Sequence, residues 1–133
     1  MRPKRAVLTL PPDPTSAAQA RRFVGRTLRT WRAASLGESA ELLVSELVAN
    51  AIRHSGTDVE VSLRFDGLRL VIEVSDCGPG QPRPRLPSAD SEDGRGLYLV
   101  DQLARDWGVR SEHEGKTVWA ALETDVRQSV RAT

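Results

Sequence analysis

The sequence predicts an α+β fold, a two-layer α/β sandwich with a mixed, mostly antiparallel sheet and helices on one face. Three observations carry this. First, residues 41–55, E-L-L-V-S-E-L-V-A-N-A-I-R-H-S, repeat apolar side chains at helical spacing. Second, residues 59–65 and 68–75 alternate apolar and polar on either side of Asp66-Gly67, the mark of a β-hairpin. Third, the helices are grouped ahead of that hairpin and do not alternate with strands. A doubly wound or P-loop nucleotide fold therefore lacks its structural context.

The elements follow in order. Residues 1–5 read as a loose basic tail. Residues 6–10 are β-prone and stop at Pro11-Pro12, as an edge strand does. Asp13 is the expected N-cap of the first helix, with Pro14 at its first position. That helix runs to about Trp31, burying Ala17, Ala20, Val24, Leu28 and Trp31, with Arg21, Arg22, Arg26 and Arg29 in solvent. The central helix spans about 38–54, buries Ala40, Leu43, Val44, Leu47, Val48, Ala51 and Ile52, and ends at Ser55-Gly56.

After the hairpin come residues 81–93, Q-P-R-P-R-L-P-S-A-D-S-E-D, almost without apolar side chains, the composition of a surface lid. A third helix opens at Gly94-Arg95-Gly96-Leu97 and runs to about Arg105, with Leu97, Val100 and Leu103 or Ala104 inward. A strand at 107–112, a turn at Glu114-Gly115 and a closing strand at 116–123 complete the chain. A chain of 133 residues suits one domain, 1–133, with an ordered core of about 6–124 and short tails.

Composition narrows the function. A formal net charge of +1 gives no argument for a nucleic-acid or polyanion surface, and no direct nucleic-acid contact is expected. The single cysteine, Cys77, excludes a disulfide within the chain and argues against a cysteine-based zinc site. No apolar run nears the ~20 residues a spanning helix needs, and the one after the basic start is too short for a signal peptide. The expected location is the cytoplasm, with no membrane contact.

Four motifs carry chemistry. Glu46, Asn50 and His54 fall in one row along an edge of the apolar arc of the central helix. A carboxylate there can orient or deprotonate a water, and a carboxamide oxygen can ligate a hard cation such as Mg²⁺. Asp76 ends a strand and is followed by Gly78 and Gly80, so a fixed carboxylate can accept a hydrogen bond from an exocyclic amine such as adenine's. Gly94, Arg95, Gly96 and Leu97 open a helix, where free N–H groups and the dipole hold phosphate and Arg95 can add a charge contact. Thr117, in G-K-T-V-W, starts the last strand, and its hydroxyl could support Asp76 across the sheet. Singly, each motif also reads as an ordinary solvated helix edge, turn, hinge or strand residue.

Together and in this order, E-x-x-x-N, D-x-G-x-G, a polar lid, G-x-G-L and G-x-T-V resemble the GHKL superfamily of histidine-kinase-like ATPases, with the Bergerat fold. The resemblance covers nearly the whole chain. The L-P-P-D-P start and the S-E-L-V-A-N-A-I-R-H-S helix look most like the stand-alone bacterial anti-sigma-factor serine/threonine kinases. The resemblance implies ATP and Mg²⁺ as cofactors, with Asn50 chelating the metal and Glu46 acting as general base. It implies that Asp76 binds the adenine amino group, with Gly78 and Gly80 shaping the pocket and Thr117 backing the contact. Gly94 and Gly96 would close over the phosphates, and Arg53 and His54 would line the phosphate end. The implied partners are a sigma factor and an anti-anti-sigma protein of STAS type, phosphorylated on serine or threonine, and the resemblance suggests a homodimer. The alternative is a non-enzymatic ATP-binding module that presents a nucleotide-gated protein surface. No phosphoacceptor-histidine helix or transducer domain stands in these 133 residues, so a complete sensor kinase or a gyrase-type ATPase is not the expectation.

Overall fold

The computed structural model describes residues 2–76, 99–112 and 115–124. Their elements are β1 (Lys4–Leu10), α1 (Ser16–Thr30), a 3₁₀ turn (Ala34–Leu36), α2 (Gly37–Ser55), β2 (Val59–Phe65), β3 (Arg69–Asp76), β4 (Asp106–Glu112) and β5 (Gly115–Glu123). Residues 99–103 are helical and precede β4. The sheet order is β1-β2-β3-β5-β4. All four described ladders are antiparallel, so the mostly antiparallel sheet expected from sequence has no parallel pair among the described strands.

Register explains why one face is covered. Val61 pairs with Val74 and Leu63 with Ile72, and β5 continues the rows as Val118 opposite Val74 and Ala120 opposite Ile72. Because strand side chains alternate between faces, these residues all point one way. They are buried together with Ala20, Val24 and Leu28 of α1 and Leu43, Val44, Leu47 and Val48 of α2. Both helices lie on that side, and α2 packs chiefly on the central strand β3. Trp31 stacks on Phe65 with ring centroids 6.4 Å apart, fastening the end of α1 to the end of β2. The other face carries polar and charged side chains such as Arg5, Arg64, Glu73 and Arg110, with Glu73 and Arg110 paired at 3.3 Å.

Several boundaries move from their expected places. Lys4 and Arg5 belong to β1, not to a loose tail, because both pair with β2. Helix α1 starts at Ser16, so Asp13 does not cap it directly. The Asp13 carboxylate instead accepts the Thr15 N–H and hydroxyl, both at 2.8 Å, in a turn that delivers the chain to the helix. Ser16 is fully buried and donates to the Pro11 carbonyl at 2.7 Å. At its far end α1 leaves through Arg32, a non-glycine residue at φ 58°, and Ala33 N–H reaches back to the Leu28 carbonyl at 2.8 Å. The 3₁₀ turn before α2 has no clear sequence signal.

Helix α2 ends as expected, on Gly56 at φ 64°. In the hairpin, Asp66 Oδ1 accepts the N–H groups of Leu68 and Arg69, so the turn consumes Leu68 and β3 begins one residue later than the alternation suggests. The third helix ends at residue 103, short of Arg105, because Arg105 N–H already bonds the Ala121 carbonyl at the sheet. Val100 is buried with Leu103 and Ala104 packed beside it, and Trp107 Nε1 donates to Asp101 at 2.9 Å, fixing this helix to β4. No helix among the described residues is long and apolar enough to cross a membrane.

Candidate functional site

The topology gathers the site at one end of the sheet. Helix α2 exits through Gly56 and enters β2 at Val59, which lies directly opposite Asp76, the last residue of β3. Strand β5 starts at the same end, with Thr117 opposite Ser75. The C-terminal half of α2, the end of β3 and the start of β5 are thus neighbours.

On α2, Asn50 is only 7% exposed, and its Oδ1 is fully buried without a hydrogen-bond partner among the described residues. Leaving a buried carbonyl acceptor unpaired costs about 1–3 kcal/mol. Such a cost is commonly kept where the atom serves a ligand. An amide oxygen is a hard donor suited to Mg²⁺, which takes one or two protein ligands and completes its shell with water and phosphate. Asn50 Oδ1 fits that requirement as a single hard protein ligand. Among the described residues no group of three or more His, Cys, Asp or Glu forms an all-protein metal cage. Glu46 is half-buried one turn earlier on the same side of α2, about 5–6 Å away at Cβ. Arg53 and His54 are exposed in the last turn, where their side chains also suit the negative end of the helix dipole.

Asp76 is half-buried, and its Oδ1 accepts the backbone N–H of Lys116 at 3.3 Å. The register puts Val74 and Val118 on the helix side, and with them Asp76 and Lys116. Ser75 and Thr117 fall on the opposite face, their hydroxyl oxygens 2.7 Å apart and Thr117 2% exposed. Register therefore puts Asp76 on the sheet face that α2 covers and pairs Thr117 with Ser75 on the other. The sequence gives no sign of Ser75 or the Lys116 amide as contributors, and it offers Gly115 as the glycine of G-x-T-V without showing its approach to Asp76. A Cβ on Gly115 would stand 2.5 Å from both the carbonyl oxygen and Oδ1 of Asp76. Its signal in the sequence is its place as the glycine of G-x-T-V at the start of the last strand. Cys77, Gly78, Gly80, the 81–93 loop, Gly94, Arg95, Gly96 and Leu97 lie outside the described residues.

Residues 10–122 match the histidine kinase-like ATPase domain, and the chain belongs to that family. Its five-stranded antiparallel sheet with helices is the α+β fold of the GHKL ATPases. A 47-residue stretch is 38% identical to the signal transduction histidine-protein kinase AfsQ2 of Streptomyces coelicolor, spanning 35% of this chain and 9% of that kinase.

Proposed function

We infer that this chain binds ATP with Mg²⁺ and transfers the γ-phosphoryl group to a serine or threonine hydroxyl of a partner protein. We assign the partner to the STAS-type anti-anti-sigma class and give the chain a second role, sequestering a sigma factor in the cytoplasm. The observation that carries the enzymatic reading is Glu46, one helical turn from a buried, unpaired Asn50 Oδ1 in a histidine kinase-like ATPase domain.

Each residue has a distinct task in this reading. Asn50 Oδ1 would hold Mg²⁺, which when bound neutralises charge on the phosphate oxygens. Asp76 accepts the adenine amino group and so sets where the triphosphate lies. Glu46 accepts the proton of the attacking hydroxyl as its oxygen bonds the γ-phosphorus. The bond to the β–γ bridging oxygen breaks at the same time, and ADP leaves with that electron pair.

The test uses γ-labelled ATP, Mg²⁺ and a lysate of the source organism, with Glu46→Gln alongside. An acid-stable labelled protein that appears with the parent and is missing with the variant is the expected result. Absence of any transfer while ATP still binds would replace the kinase with a nucleotide-gated binding module.

A further inference from the structure

The geometry points to Gly115 and the Lys116 amide as a seat for the Asp76 carboxylate, which makes Gly115 a specificity-determining residue for the nucleotide base. This rests on the reading of Asp76 as the adenine contact.

Two observations meet at one carboxylate. Lys116 N–H donates to Asp76 Oδ1 at 3.3 Å, which binds one oxygen to the start of β5 and leaves Oδ2 to meet a donor. Gly115 is buried at φ 147°, and a Cβ there would stand 2.5 Å from Oδ1 and from the Asp76 carbonyl. Two unbonded heavy atoms do not approach so closely, so a side chain at 115 must displace Asp76, its carboxylate and the main chain that carries it. The seat is built from main chain on the helix side of the sheet, on the side to which register assigns Asp76.

The chemical consequence is selectivity for a 6-aminopurine. A carboxylate with one oxygen held can present the other in a fixed direction to an exocyclic N–H. A site built around one hydrogen bond discriminates strongly against an analogue that lacks the donor. A carboxylate free to rotate still contributes charge but loses that direction. Gly115 is thus a positioning residue that acts through Asp76 and leaves phosphate binding to α2 and the metal.

The experiment compares the dissociation constants of ATP and of purine riboside triphosphate, which lacks only the 6-amino group. It uses the full chain with Mg²⁺ as parent, Gly115→Ala and Asp76→Asn. A fourth protein has the Lys116 backbone N–H replaced by an ester oxygen, which leaves every side chain unchanged. The seat predicts that Gly115→Ala and the ester each lower the ATP preference by about tenfold while affinity for the analogue changes little. A folded Gly115→Ala with the parent's preference overturns the proposal. If Gly115→Ala does not fold, the ester protein decides: a lowered preference supports the seat, and the parent's preference overturns it. An Asp76→Asn protein that keeps the full preference removes the adenine reading itself, separately from the seat.

Discussion

Ser75 and Thr117 face each other across β3 and β5 with hydroxyl oxygens 2.7 Å apart, on the side of the sheet away from the helices. One residue along, the same two strands bring Lys116 N–H to Asp76. The hydroxyl pair clamps the two strands at the point where the site is assembled. Ser75→Ala is expected to lower unfolding free energy by about 1 kcal/mol, the usual net value of one hydrogen bond. Urea unfolding measures it, and an unchanged midpoint would show that the pair holds nothing.

Asn50 sets stability against function. Its buried, unpaired Oδ1 penalises the folded chain in the absence of a cation. Asn50→Ala removes that penalty and leaves only a small cavity. The variant is expected to melt within about 1 kcal/mol of the parent, or above it, without ligand. It should also gain almost nothing from added Mg²⁺-ATP. Parallel melts with and without nucleotide give both numbers, and a large loss of ligand-free stability would make Asn50 a structural residue.

The two helix exits make opposite predictions. Arg32 sits at φ 58°, where a side chain costs about 1–2 kcal/mol, whereas Gly56 occupies φ 64° without that cost. Arg32→Gly should stabilise by about 0.5 kcal/mol once the greater unfolded-state freedom of glycine is subtracted. Gly56→Ala should destabilise by about 1 kcal/mol although nothing crowds the site. Thermal unfolding of the two variants should move in opposite directions.

Two turn carboxylates make folding sensitive to acid. The Arg69 and Leu68 N–H groups hold the Asp66 carboxyl below its ordinary value, and Thr15 N–H and hydroxyl do the same for Asp13. A lowered folded pKa means that the unfolded chain takes up protons first as pH falls. The stabilisation is therefore complete above the unfolded value of about 3.9 and is lost as pH drops through the lower folded values. Melting temperature should fall below about pH 4, and Asp66→Asn should flatten that decline. A slope identical to the parent's would remove Asp66 from the account.

Much of this fold was legible because its signals are local and periodic. The 3.6-residue arc of α2, the alternation of β2 and the left-handed glycine after Ser55 each act within a few residues of themselves. Turns were less legible where side chains bind backbone: the sequence offers Asp13 as a cap, whereas its partners are Thr15 N–H and hydroxyl in the preceding turn. Beyond the β2-β3 hairpin, sheet register was not legible, since the pairing of Ser75 with Thr117 depends on residues 42 positions apart. Register is what separates Thr117 from the Asp76 face and brings in Gly115 and the Lys116 amide. The buried state of Asn50 could be anticipated from its place at the rim of the apolar arc, but not the absence of a partner for Oδ1.

The most direct measurement is a calorimetric titration of ATP with Mg²⁺ into the parent, Asp76→Asn and Asn50→Ala, with circular dichroism to confirm that all three are folded. A nucleotide site at the end of α2, β3 and β5 predicts that the parent binds and that both variants lose at least about tenfold in affinity, about 1.4 kcal/mol. Asn50→Ala should also lose the Mg²⁺ dependence of what binding remains. Folded variants that bind ATP as the parent does would contradict the site and the function built on it.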